Sequence, residues 1–307
     1  MSEAAAGRFD APPAGSFADR LARAQTHTDS LLCVGLDPDP PRLPGAWVGD
    51  ARHIFDFCRA IVDATHDLAC AFKPQIAHFA AHRAEDQLEA LIRHIRHAAP
   101  HAVVILDAKR GDIGSTAEYY AREAFERYAA DAVTLSPYLG FDSIAPYLEH
   151  PDAGLILLCR TSNPGGADLQ DCRLDATADW PAERVYERVA RLAQGPWFRP
   201  GRIGLVVGAT RPHEISRVRD LAADLPLLVP GVGAQGGDAD AAVAAGLRPA
   251  GRAGGGRVIV NSSRAVLYAS AGDDFAAAAR QVATSTRDQL RGAARRALDR
   301  PLPADTT

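Results

Sequence analysis

No apolar stretch of the 307-residue sequence runs to the roughly 20 residues that a bilayer-spanning helix requires. Basic excess is missing as well. The formal charge is −4 and the isoelectric point about 6.2, and no Lys/Arg block stands out, so the electrostatic footprint of a nucleic-acid or anionic-membrane partner is absent. Close cysteine pairs are lacking too. Cys33, Cys58, Cys70, Cys159 and Cys172 are odd in number and form no CxxC, which argues against a disulfide framework and against structural zinc. The opening residues, MSEAAAGRFDAPPAG, have no apolar core of the kind a signal peptide needs. The expectation is a reduced, cytoplasmic protein with neither nucleic acid nor membrane as partner.

What the sequence does contain is a repeated alternation. Short apolar runs occur at 31–37, 69–75, 102–109, 132–137, 154–162, 203–210, 226–233 and 257–263, and each ends in polar, Gly or Pro residues. Helical periodicity fills most gaps, at 52–67, 78–98, 115–130, 182–195, 212–223 and 238–246, with a further helix over 273–298. The 141–150 link is shorter and less regular. Runs that are continuously apolar mean strands buried on both faces, and eight strand–helix units at this length predict a parallel α/β fold, the (β/α)8 or TIM barrel. The Ala/Gly/Pro-rich residues 1–15 read as a disordered tail and 299–307 as a loose one, leaving 16–298 as a single catalytic domain in which 16–25 caps the closed end. No repeat beyond the strand–helix period is visible. The Gly-rich stretch 246–257 reads as a surface loop.

Barrels of this kind place their active sites where the strands end. Here those ends are unusually polar: Asp37, Lys73, Asp107 with Lys109 and Asp112, Thr161 with Ser162, the 230–238 loop PGVGAQGGD, and Ser262, Ser263 and Arg264. Any one of them could be a cap or an ion pair, but so many on one face point to a site. Asp107 and Lys109 lie two apart, which puts both on the same side of a strand. Glycines 231, 233, 236 and 237 around Gln235, with Ser263 and Arg264 opening the next helix, match a phosphate site built after strands seven and eight. A phosphomonoester substrate follows. His78/His82 and His94/His97 have metal-pair spacing but lie on the second helix, away from the strand ends, so a solvated face is expected and no metal. Nothing near the cysteines points to a thiol nucleophile.

The stretch ILDAKRGDIGST (105–116) carries a D-x-K-x-x-D-I pattern and resembles the orotidine 5′-phosphate decarboxylase family. Similar blocks run from 33 to 269: CVGLDPDP, FKPQ, SPYLGFDS, TSNPGG, GLVVGAT, PGVGAQGGD and VNSSRAVLYA. They resemble the longer bacterial branch. The resemblance implies decarboxylation of orotidine 5′-phosphate to uridine 5′-phosphate, the last step of de novo UMP synthesis, without cofactor or metal. It implies that Asp107 faces the substrate carboxylate and Lys109 protonates C6, while Lys73 and Asp37 hold the ribose hydroxyls. Ser162 would read the pyrimidine, Gln235, Ser263 and Arg264 would take the phosphate, and Pro230 on the closing loop would pack near the base. Asp112 and Thr116 would reach into the neighbouring subunit's site, which makes the protein a homodimer with shared sites. Two features depart from the pattern: Ala80 follows Phe79 where an acidic residue is expected, and the 246–257 insertion is long.

The residue types suit that chemistry. Loss of carbon dioxide from C6 leaves a carbanion with no conventional electron sink, so fixed charge must favour it. A metal-dependent decarboxylase of 3-keto sugar phosphates on the same scaffold, a silent nucleotide-binding barrel, and a Schiff-base aldolase using Lys73 or Lys109 are the alternatives. Chelator sensitivity, binding of uridylate without turnover, and borohydride trapping separate them.

Overall fold

The computed structural model describes residues 15–232, 238–248 and 256–299. Its centre is a closed barrel of eight parallel strands: β1 (Leu32–Leu36), β2 (Ala71–Pro74), β3 (Val103–Arg110), β4 (Ala132–Leu135), β5 (Gly154–Arg160), β6 (Ile203–Val207), β7 (Leu227–Pro230) and β8 (Val258–Ser262). Consecutive strands are neighbours, and β8 returns to β1 with Val34 opposite Ser262. Every strand is apolar on both faces because one faces the barrel interior and the other the helices. Leu32, Val34 and Leu36 belong to the outer core, whereas Cys33 joins Ala71, Ile105, Ala132, Ile156, Val206, Leu228 and Ile259 inside.

The side-chain period of two turns that inner layer into a prediction about the mouth. Two residues beyond Cys33, Ala71, Ile105, Ala132, Val206, Leu228 and Ile259 stand Gly35, Lys73, Asp107, Thr134, Gly208, Pro230 and Asn261. Strand geometry therefore delivers the polar residues together. At the opposite end, helix α1 (Phe17–Thr28), N-capped by Ser16, inserts Phe17, Leu21 and Ala24 into the inner cluster. A Cβ on Gly154 would stand 2.4 Å from the Phe17 ring, so only glycine lets this plug seat.

Some expected elements differ in detail. The helix expected over 78–98 is two, Ile76–Ala80 and Glu85–Ala98, because Arg83 takes a left-handed φ of 54° between them. The helix expected over 115–130 is α-helical at Gly114–Arg122 and continues as a π turn at Glu123–Arg127. Successive 3-10 turns fill 137–149, with prolines opening two of them. A short antiparallel ribbon, Arg173–Leu174 against Glu183–Arg184, follows β5 and was not expected. Gln235, most of the 246–257 insertion, and the proposed tails apart from Gly15 and Asp299 lie outside the described residues. Among the described residues no helix is long and apolar enough to cross a membrane.

Candidate active site

Asp107 ends the inward row of β3 and is 6% exposed. Three donors converge on its carboxylate. Lys73 Nζ reaches Oδ2 at 2.7 Å, Lys109 Nζ reaches Oδ1 at 2.6 Å, and the Thr134 hydroxyl donates to Oδ1 at 2.9 Å. The chain has only two lysines, and both are on this one aspartate. They are not equivalent. The Lys73 side chain is 4% exposed and that of Lys109 47%, so one ammonium is shielded in the mouth and the other faces open space.

Charge in this place is stable only as a set. Burial alone would raise the Asp107 pKa, but the two ammonium groups outweigh it and hold the carboxyl well below its usual range. Burial would likewise lower the Lys73 pKa, and the carboxylates of Asp107 and Asp37 outweigh it, so that ammonium is held above the ordinary lysine value. The signs fix a pH window. A depressed acid contributes stability above its unfolded value, about 4, that is lost as pH falls below it; a raised lysine contributes stability below about 10 that is lost as pH climbs through its folded value. Across the neutral range both stay ionised.

The β3 backbone is bent to bring Lys109 round. The ladder to β4 shifts register between Leu106 and Arg110, and Lys109 adopts a left-handed φ of 48°, a conformation that costs a non-glycine residue on the order of 1 kcal/mol or more. Thr134 holds the bend. Its Oγ1 accepts the amides of Ala108 and Lys109, both at 3.0 Å, while donating to Asp107. One hydroxyl, 1% exposed, thus fixes both the carboxylate of Asp107 and the backbone of Lys109.

The remaining expected residues, among those described, lie at or just after the strand ends of the barrel. Asp37 lies close enough for its charge to act on Lys73, and its Oδ1 is buried without a hydrogen-bond donor among the described residues. Ser162 follows β5 and stands against Gly208, where a Cβ would come within 2.7 Å of Ser162 Cα. Gly35 makes room in the same way for Ser263, whose Oγ accepts from Asn261 at 3.0 Å. Pro230 ends β7. Arg264 is exposed at the start of a single helical turn, Arg264–Leu267, with no side-chain partner among the described residues. Asp112 and Thr116 form no hydrogen bond or ion pair with Lys73, Asp107 or Lys109; they stand on the rim beside exposed Ile113.

Sequence reasoning missed three residues here. Thr134 was the lone hydroxyl in an otherwise apolar strand, a readable signal. Arg160, 1% exposed, ties the loop after β5 to Asp171 at 2.9 Å and to Glu214 at 3.3 Å, and Tyr268 bonds the loop that carries Asp37; neither contact is encoded by spacing. Burial raises the thiols of Cys33, Cys58, Cys70 and Cys159, that of Cys33 to about 12, so none is a thiolate at neutral pH. His94 pairs with Asp63 at 2.6 Å and His78 meets the Pro38 carbonyl at 2.8 Å. Among the described residues no group of three or more His, Cys, Asp or Glu side chains is arranged to hold a metal ion.

A half-exposed ammonium pinned to a buried carboxylate, with a second carboxylate short of a donor, can bind a polar substrate and place positive charge beside a reacting carbon. Known proteins give that chemistry a context. Residues 30–282 match the model of the family described as orotidine 5′-phosphate decarboxylase / HUMPS. An orotidine 5′-phosphate decarboxylase of Leptothrix cholodnii is 68% identical over 280 residues, covering 91% of this chain and 98% of its own. That of Paracidovorax citrulli is 66% identical over 278 residues, covering 91% and 99%. Among solved structures, Leishmania donovani OMP decarboxylase superposes with a TM-score of 0.73 at 38% identity, covering 90% of this chain and 99% of that one. The UMP synthase of the same organism gives 0.75 at 39% identity, with 90% of this chain covered but only 56% of the longer partner. With a barrel of this topology and a family match across most of its length, the chain belongs to the orotidine 5′-phosphate decarboxylase / HUMPS family.

Proposed function

We propose that this enzyme removes carbon dioxide from C6 of orotidine 5′-phosphate and leaves uridine 5′-phosphate. The observation that carries the reading is the buried Asp107 with one shielded and one open ammonium on it. Lys109 Nζ spends one of its three hydrogens on Asp107, which leaves two for the reacting carbon. As electron density collects at C6 the ammonium gains favourable interaction, and it then supplies the proton. An ionised Asp107 disfavours the substrate carboxylate beside it and is indifferent once carbon dioxide has gone. Lys73 and Asp37 complete a set of two cations and two anions that stays charged when water is expelled. Because an ammonium exchanges with solvent, turnover in deuterium oxide is expected to give uridylate carrying one deuterium at C6, read by loss of the C6 proton resonance. Full retention of protium there, or absence of uridylate, contradicts the reading.

Thr134→Val keeps the shape and removes the hydroxyl that holds both groups. Its kcat is expected to fall about 10- to 100-fold with little change in KM, on the scale of one lost hydrogen bond to a charged group plus misplacement of Lys109. Thr134→Ser should restore most of it. Equal kcat in the valine variant would mean that the bend at Lys109 is set by something else.

Ser263, Arg264 and Gln235 are assigned to the phosphate, Ser162 to the pyrimidine edge and Pro230 to the base. The phosphate lies away from the bond that breaks, so its binding energy serves to organise the site. Arg264→Ala is expected to lower kcat/KM about 10- to 100-fold, the worth of a guanidinium–phosphate contact. An unchanged value removes Arg264 from the assignment.

The working form is a homodimer in this reading. Ile113, Tyr119, Tyr138 and Leu139 are 54, 67, 76 and 48% exposed, an apolar group on adjacent elements after β3 and β4, beside Asp112 and Thr116. Large exposed apolar side chains gathered in this way mark a contact surface, and one here would carry Asp112 and Thr116 toward a neighbour's site. The five cysteines are free thiols, in keeping with a cytoplasmic enzyme.

A further inference from the structure

The segment Asp37–Asp39 is held at three points, and two belong to one side chain. Tyr268 Oη donates to the Asp37 carbonyl at 3.0 Å and accepts the Asp39 amide at 2.7 Å, so a single hydroxyl bridges the peptide groups on either side of Pro38. Its ring is immobilised, stacked on Phe57 at 5.8 Å with the Arg42 guanidinium 3.8 Å from its centroid. Its amide donates to the Arg264 carbonyl at 3.2 Å, closing the turn that Arg264 opens. The tyrosine therefore links the end of β8 to the end of β1. What it aims is the carboxylate of Asp37, whose Oδ1 is buried with no donor among the described residues. A buried anionic oxygen without a donor is costly unless a ligand brings one.

We propose that Tyr268 is the positioning residue for ribose recognition: it fixes the β1 loop so that Asp37 Oδ1 meets a sugar hydroxyl, and it ties that aim to the turn bearing Arg264. The inference rests on the assignment of Asp37 to the ribose made above. Burial raises the Tyr268 pKa, so the hydroxyl keeps its proton for the Asp37 carbonyl throughout the working pH range. Tyr268→Phe removes both loop contacts while leaving the ring packing and the third anchor, His78 on the Pro38 carbonyl at 2.8 Å.

The test compares affinities rather than rates. Titration calorimetry with uridylate, 2′-deoxyuridylate and 3′-deoxyuridylate is run on the parent, Tyr268→Phe and Asp37→Ala, with melting temperatures alongside. The parent is expected to bind one deoxy ligand about tenfold or more weakly than uridylate, because its loss leaves Asp37 unpaired. In Tyr268→Phe that penalty should shrink to about threefold or less, approaching Asp37→Ala. A lower melting temperature with the full penalty retained means a merely structural tyrosine and overturns the proposal. Arg42→Ala, which frees one ring face without touching the hydroxyl, should lower the penalty in the same direction; should Tyr268→Phe not fold, a full penalty in Arg42→Ala overturns it. A parent that binds no uridylate refutes the reading of the site itself, and one that binds all three ligands equally refutes the role of Asp37.

Discussion

Lys109→Ala protein is expected to lose about 10⁵-fold in kcat while remaining folded and still binding uridylate. The magnitude follows from two losses at one atom. A positioned general acid contributes roughly 10²- to 10⁴-fold, and a charge aimed at a developing anion roughly 10²- to 10³-fold. Ground-state binding should change little, since the Lys109 side chain is nearly half exposed and gains its main interaction only as C6 becomes negative. Stability should change modestly too. Removing Lys109 leaves Asp107 with Lys73 and Thr134 still bonded to it, so the buried acid keeps partners, unlike the case in which a buried pair loses one member outright. Lys73→Ala is the contrast. There the buried half of the array goes, and folding suffers together with rate. A Lys109→Ala enzyme that turns over near the parental rate would mean that the half-exposed ammonium is not the acid.

Mixing two dead proteins should give a live one. Lys109→Ala and Asp112→Ala are each expected to be nearly inactive alone, because Asp112 is assigned to the neighbouring barrel. After subunit exchange about half the dimers are mixed, and in each mixed dimer one site has both defects and the other has neither. Roughly one quarter of parental activity should therefore return. The geometry within one chain supports the assignment. Asp112 Oδ1 caps the amide of Ile113 at 2.9 Å and makes no contact with the lysine array of its own barrel among the described residues. Exchange verified by mass, with no recovery, would place Asp112 in its own subunit's site or outside any.

How much of this could be read from the letters is decided by periodicity. The eight strands were legible because a strand buried on both faces is written as an uninterrupted apolar run, and the period of two then forces Lys73, Asp107 and Thr134 onto one inner layer. Asp107 and Lys109 were correctly expected to meet, but not by the simple alternation that suggested it. The chain reaches that contact through a register shift and a left-handed Lys109, and no local pattern announces a bulge that is held by a hydroxyl on the next strand. The ties from Arg160 to Asp171 and Glu214, and from Tyr268 to the Asp37 loop, join residues remote in sequence, and side-chain spacing carries no information about such pairs. The 137–149 link resisted reading for a different reason: prolines stand in the first two positions of two of its 3-10 turns, at 137 and 146, and they interrupt the 3.6-residue period on which helix recognition depends.

Two glycines at the strand ends are explained only by the fold. Gly35 and Gly208 are strand-end positions where a methyl group would collide with Ser263 and Ser162. A side chain at either place pushes away a residue assigned to the substrate.

In the proposed reaction fixed charges, without a metal or cofactor, make the C6 carbanion accessible. The most direct measurement is the ultraviolet absorbance of orotidine 5′-phosphate in the presence of purified enzyme and excess chelator. The expected result is a decay to the spectrum of uridine 5′-phosphate at a rate the chelator leaves unchanged. A trace that stays flat, or that decays only when a divalent metal is restored, contradicts it.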